Sequence, residues 1–224
     1  MRFVSPFFLK NCENTGCAFT IGDCNDDISQ YRIQYIDENV IPTQKVRLEQ
    51  IHSGQVIVIE SEADVSAKSG FSADGLITNI SGIALEISVA DCASVALVDD
   101  ENKIIALVHA GWRGTEANII ENALDNVIKM GATVGNICAY IGPSIGFDDY
   151  EVGKNFLKKF PHSTIVKNGR VFFDLAGEIK GRLNKCGIEN VEKFPLSTYS
   201  THWLESYRRD GDDAGRILFY LWIK

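Results

Sequence analysis

Histidine and methionine are scarce in this chain of 224 residues, which has four His (His52, His109, His162, His202) and two Met (Met1, Met130). A multicopper oxidase draws on about ten imidazoles for its copper set, so this chain alone cannot be one. No run of about 18 apolar residues exists, so nothing reads as a membrane span. The start, MRFVSPFFLKNCE, has a short apolar stretch broken by Lys10 and no small-residue cleavage site after it. It makes a poor signal peptide, and a cytoplasmic location is expected. The six cysteines (Cys12, Cys17, Cys24, Cys92, Cys138, Cys186) contain no CxxC pair. In such a compartment they are expected to be reduced, and Cys12, Cys17 and Cys24 read as partly buried thiols rather than a metal set. Basic charge is also short, with 22 Lys+Arg against 30 Asp+Glu and a net charge of −8. That excludes a basic nucleic-acid glove, and neither nucleic-acid nor membrane affinity is indicated. Internal repeats, linkers and charge blocks are absent, so residues 1–224 read as one continuous domain.

What is present is ordinary globular composition, 45% hydrophobic and 23% charged, in a chain long enough to bury a sizeable core. A strand is expected near 17–21, then a helix over 28–40, where Ile28, Tyr31, Tyr35 and Ile36 recur at helical spacing. Residues 55–59 (QVIVI) and 83–89 read as strands. The apolar runs 95–98 and 104–108 flank the polar stretch Asp99-Asp100-Glu101-Asn102-Lys103, which makes an antiparallel hairpin. With its centre near 101–102, facing residue numbers sum to about 203, and His109 lies opposite Ser94. A helix follows over 115–130 with Ile120, Leu124, Val127 and Ile128 on its apolar face and Gly131 ending it. Beyond it come a strand at 137–141, a helix at 151–160, a hairpin turning on Asn168-Gly169, a helix over 175–185 closed by Gly187, and a last strand at 216–222. Strands and helices mix without strict alternation, which fits an α+β or α/β protein with mixed sheets.

Three segments look over-specified for packing: Gln50-Ile51-His52-Ser53-Gly54, Ser88-Val89-Ala90-Asp91-Cys92 and Val108-His109-Ala110-Gly111-Trp112-Arg113-Gly114. Each carries a metal-capable side chain where a strand ends. Two imidazoles and one thiolate suit Zn²⁺ with a fourth position left open. Spacing leaves two other readings in place: a structural His beside a buried Cys, and a Cys92 thiolate nucleophile.

Arg113 sits between Gly111 and Gly114, where it can hold a phosphate or pair with a local carboxylate. In Ser206-Tyr207-Arg208-Arg209-Asp210-Gly211, Arg208 and Arg209 can clamp a phosphate, although one of them can instead be tied to Asp210 or Asp212. The loop Gly142-Pro143-Ser144-Ile145-Gly146 can wall a pocket. Asp148 and Asp149 are acid/base candidates or solvated carboxylates at a helix start. His162 and His202 have no evident partners.

Together these strings, with Ala73-Asp74-Gly75-Leu76-Ile77-Thr78, Tyr150-Glu151-Val152-Gly153 and Gly215-Arg216, resemble the YfiH-like family, labelled "laccase domain" or "polyphenol oxidase". They occur in family order over nearly the whole chain. The resemblance implies an α+β single domain of two mixed β-sheets covered by helices, in four α/β/β/α layers. It implies that His52, Cys92 and His109 bind zinc. It also implies action on purine nucleosides: phosphorolysis of adenosine, inosine, guanosine and methylthioadenosine, and hydrolytic deamination of adenosine. The chain departs from the pattern in three places. Ile21 stands where the family has an Arg, Asp148 and Asp149 stand where cysteines are frequent, and Ser197-Thr198 replaces Cys-Thr. If the missing Arg contacts phosphate or ribose in the family, substrate preference differs here.

Three activities compete on these residues. A zinc-dependent purine nucleoside enzyme would use Arg113, Arg208 or Arg209 for phosphate. A thiol hydrolase or deamidase would use Cys92 with His109 as its base. A copper phenol oxidoreductase would use the same His₂Cys set. Met130, the only internal Met, falls in a helix and makes a poor axial copper ligand. A non-enzymatic binding module is the fourth possibility.

Overall fold

In the computed structural model, residues 1–7 and 12–224 are described. The expected break of the apolar start at Lys10 lies outside them. In chain order the strands are β1 (Arg2–Pro6), β2 (Thr15–Ile21), β3 (Ile33–Tyr35), β4 (Lys45–Arg47), β5 (Val56–Ile59), β6 (Gly75–Thr78), β7 (Ala84–Val89), β8 (Ala93–Asp99), β9 (Ile104–Ala110), β10 (Cys138–Ile141), β11 (Glu151–Val152), β12 (Thr164–Lys167), β13 (Arg170–Phe173), β14 (Val191–Lys193) and β15 (Ile217–Ile223). The helices are α1 (Glu62–Lys68), α2 (Trp112–Glu116), α3 (Ile119–Lys129), α4 (Phe156–Lys159), α5 (Leu175–Lys185) and α6 (Tyr207–Asp210).

Two six-stranded sheets run in the orders β3-β1-β2-β15-β7-β4 and β14-β10-β8-β9-β6-β5, and a small sheet runs β11-β13-β12. Both large sheets are mixed, because β4/β7, β10/β14 and β5/β6 are parallel and the other pairs antiparallel. Strand alternation divides the core. Phe19, Leu85, Ile87, Phe219 and Leu221 of the first sheet meet Leu76, Ala96, Ile105 and Leu107 of the second. The opposite face of the second sheet, with Val95, Leu97, Ala106 and Val108, packs under α3 and α5 through Ile120, Leu124, Ile179 and Leu183.

The fold is therefore α+β with mixed sheets, as expected, and its sheet-on-sheet pair and one helical layer are in place. A separate small cluster on the first sheet joins its own Ala18, Ala84, Tyr220 and Trp222 to Ile41, which lies beside a 3-10 turn.

The β8–β9 hairpin has the expected register: Ser94 faces His109 and Val98 faces Ile105, so facing numbers sum to 203. The Asn168-Gly169 turn joins β12 to β13 with both residues at positive φ, as a type I′ turn requires. Three helical expectations are corrected. Residues 28–40 form two 3-10 turns around β3, because the Asp27 and Asp37 side chains each cap a turn and Arg32 takes a left-handed φ of 59°. The helix expected over 115–130 starts earlier and breaks in two at Asn118, whose φ is 60°. Ile128, at the edge of the apolar face expected for it, is exposed. Residues 151–160 hold only the short strand β11 and one turn, α4, because Glu151 and Val152 pair with β13.

Candidate metal centre and substrate cavity

The alternation that builds the inter-sheet core also aims the site. His109 has the parity of Ile105 and Leu107 on β9, so its ring points between the sheets, at the strand's end. Strand β6 runs antiparallel to β9 with Gly75 facing Val108, which sets Asp74 beside His109. The His109 backbone N–H donates to Asp74 O at 2.7 Å. Cys92 lies in the turn from β7 to β8, and His52 in the loop before β5. The ligating atoms of His52, Cys92 and His109 all lie within 4.8 Å of one another. Among the described residues this is the one His/Cys/Asp/Glu group arranged for a metal; Cys12, Cys17 and Cys24 form none.

The site's electrostatics favour ligation. Burial pushes the Cys92 thiol up, but hydrogen bonding and charge from His109 and His52 outweigh it and bring it down to about 7. Burial also opposes charge on His109, yet Asp74 and Cys92 hold it up to about 9. Asp74, which the sequence reading did not place in the site, is fully buried and accepts from His109 Nδ1 at 2.8 Å. Burial raises its carboxyl, while His109 and Ser53 more than offset this and keep it below the usual range. With Nδ1 turned to Asp74, His109 presents Nε2 to the shared space. Two imidazoles and a thiolate are a borderline-soft donor set that fits zinc and would also accept copper, so the residues present fit a divalent metal.

Two backbone positions at the site are strained. His52 and Asp91 both take positive φ, 59° and 80°, in a region that costs a non-glycine residue on the order of 1 kcal/mol or more. Asp91 is held by Thr198 Oγ1 and the Arg208 backbone N–H, each donating to its carboxylate at 2.6 Å. It thereby ties the Cys92 turn to the C-terminal loop, a role its string in the sequence did not reveal. Gln50 spends its amide on Ser88, donating to the carbonyl and accepting from the N–H, both at 2.8 Å.

The metal-capable trio opens onto a cavity of about 530 Å³. Trp112, Tyr150 and Tyr207 give it aromatic walls, and Ile145 of the expected pocket-wall loop lines it too. Arg113 and Arg208 both reach it, as does Arg216. The Arg113 guanidinium stacks on Trp112 at 4.3 Å and has no carboxylate partner among the described residues. Arg208 lies over Tyr150 at 5.2 Å and donates to Glu151 O.

Arg209 is placed elsewhere. It pairs with Asp210 and donates to the carbonyls of Thr198, Tyr199, Thr201 and Leu204, so it staples the loop and does not line the cavity. Asp148 pairs with Lys167, Asp149 accepts from Ser200, and neither reaches the cavity. His162 and His202 are exposed and away from it. Ile21 is buried in the inter-sheet core and borders a separate small hollow that it shares with Arg216.

Comparisons with known proteins agree with this architecture. A purine nucleoside phosphorylase of Rickettsia prowazekii is 34% identical over 162 residues, covering 68% of this chain and 65% of its own length. An adenosine deaminase from an unknown prokaryote is 31% identical over 206 residues, covering 84% of this chain and 76% of its own. The match thus spans just under two thirds of the first of these relatives. Among solved structures, hypothetical protein YfiH of Bacillus licheniformis superposes with a TM-score of 0.79 at 22% identity, covering 94% of this chain and 93% of that one. YlmD of Geobacillus stearothermophilus gives 0.80 at 19%, covering 95% and 93%. At such identities the structures speak to the fold alone. No helix among the described residues is long and apolar enough to cross a membrane. Residues 7–224 match the model of the family described as multi-copper polyphenol oxidoreductase laccase, and the chain belongs to that family.

Proposed function

We propose that this chain is a zinc-dependent purine nucleoside enzyme. It would phosphorolyse adenosine, inosine, guanosine and methylthioadenosine to the free base and ribose 1-phosphate or its methylthio analogue, and deaminate adenosine to inosine. One observation carries the reading: His52, Cys92 and His109 converge on the wall of an aromatic-lined cavity that three arginines also enter. The printed names of the relatives, a purine nucleoside phosphorylase and an adenosine deaminase, support the substrate class. The multi-copper label fits less well, since only two of the four imidazoles reach the site.

His52, Cys92 and His109 would hold the zinc, which when bound supplies a Lewis acid at the cavity wall. The rest falls to the chain's own groups. Trp112, Tyr150 and Tyr207 offer ring faces for a purine. Arg113 and Arg208 keep unspent N–H donors that can hold phosphate against the sugar C1′. In phosphorolysis a phosphate oxygen bonds to C1′ as the C1′–N9 bond breaks, and the base leaves with a proton. In deamination water adds at C6 and ammonia leaves.

The test is zinc-loaded protein with adenosine and phosphate, followed by chromatography. Adenine with ribose 1-phosphate, or inosine, is expected. Folded, zinc-loaded protein that releases none of these would overturn the reading.

A second reading is favoured by the run Asp74–His109–Cys92, in which a carboxylate orients an imidazole beside a low-pKa thiol. That is the arrangement of a thiol hydrolase or deamidase. Full activity after complete chelation would select it; activity lost with the metal and restored by zinc selects the first.

A further inference from the structure

One buried carboxylate beside the cavity does not line it. Asp74 is fully buried. Its Oδ1 accepts from His109 Nδ1 at 2.8 Å and from the His52 backbone N–H at 2.9 Å. Its Oδ2 accepts from the Ser53 backbone N–H at 2.5 Å and the Ser53 hydroxyl at 2.8 Å. We propose that Asp74 is the positioning residue of the metal centre, one carboxylate that fixes both the His109 ring and the His52 backbone so that two imidazoles meet Cys92. This inference rests on the metal reading of the site.

The chemistry follows from the donor count. Four donors satisfy the lone-pair capacity of a carboxylate, which is acceptor-only when ionised. Nδ1 of His109 must therefore carry the hydrogen, and Nε2 keeps the lone pair a metal needs. The second effect is on the backbone. His52 is held at a φ of 59°, and the consecutive N–H groups of His52 and Ser53 both point at Asp74. Losing those acceptors frees the loop to relax toward negative φ and carry the His52 ring away.

An amide of the same shape cannot replace the carboxylate. In Asp74→Asn, an amide oxygen in the Oδ2 place keeps the Ser53 donors but leaves the NH₂ facing both His109 Nδ1 and the His52 N–H. Nδ1 then becomes the acceptor, and the hydrogen moves to Nε2, where it blocks ligation. Turned over, the NH₂ meets the Ser53 N–H head-on, and the loop loses that anchor.

The experiment is a zinc competition titration of wild type and Asp74→Asn against a chromophoric chelator. Circular dichroism confirms the fold, and a ¹⁵N spectrum of the histidine rings accompanies it. The zinc Kd is expected to rise about 10- to 100-fold in Asp74→Asn. Zinc-loaded wild type is expected to show His109 protonated at Nδ1 and ligated at Nε2. Wild type that binds zinc while folded Asp74→Asn binds it equally well overturns the role of Asp74 alone. Wild type that takes up no zinc overturns the metal centre and this role with it. Should Asp74→Asn fail to fold, the wild-type spectrum decides, and a metal on Nδ1 overturns the proposal.

Discussion

At the scale of single residues, the site is a coupled set of titrating groups. In metal-free protein the Cys92 thiol is drawn down to about 7 and His109 is held up to about 9. The signs follow by linkage. The lowered Cys92 adds stability that is present above its unfolded value and is lost as pH falls through about 7. The raised His109 adds stability that is present below its unfolded value and is lost as pH rises through about 9. Alkylation of Cys92 by iodoacetamide in zinc-free protein should therefore reach half its maximal rate near pH 7. In His109→Ala the midpoint should move up toward the ordinary thiol value; an unmoved midpoint would show that His109 does not set it. The trio itself was legible in the sequence, because each member sits in a string too unusual for packing. Asp74 was not, although it lies in one of the strings that carry the family resemblance. Nothing in Ala73-Asp74-Gly75 says which strand it lies beside, and its role comes from the β6–β9 register.

At the scale of elements, close approach decides more than propensity. Gly111 opens α2 at an ordinary φ of −81°, so its backbone does not require glycine. Space does: a Cβ there would lie 2.7 Å from Cys92 Sγ and 3.4 Å from His52 Cδ2. Gly111→Ala should push Cys92 out of line and lower zinc content well below that of wild type, which metal analysis of the purified variant checks. Retention of full zinc would mean the trio tolerates that displacement. The β8–β9 hairpin was readable to its register because two wholly buried strands flank a polar turn. The helices were read less well. Periodicity in 28–40 is real, but aspartate caps and left-handed Arg32 divide the segment. In the same way Asn118 divides α2 from α3, and neither break has a glycine or proline to announce it.

At the scale of the whole molecule, the cavity sits where the two sheets part at one end, and the C-terminal loop closes it. The adjacent arginines of that loop divide the work. Arg209 holds four loop carbonyls and Asp210, whereas Arg208 enters the cavity. Arg209→Ala should cost about 2 kcal/mol, seen as a fall in Tm of roughly 4–8 °C. Arg208→Ala should leave Tm nearly unchanged and raise the phosphate KM roughly tenfold, about 1.4 kcal/mol of binding. Equal effects of the two substitutions on KM would contradict this division. The run of strand and helix patterns pointed to mixed sheets and the family resemblance to an α+β domain, but which arginine faces inward depends on how the loop folds back on Asp91, which no local pattern reports. The central claim is that His52, Cys92 and His109 share one divalent ion. It is tested most directly by elemental analysis of the purified protein beside Cys92→Ala. About one zinc per wild-type chain, lost in the variant, is predicted; folded wild type that carries no metal and takes up none from added zinc would contradict it.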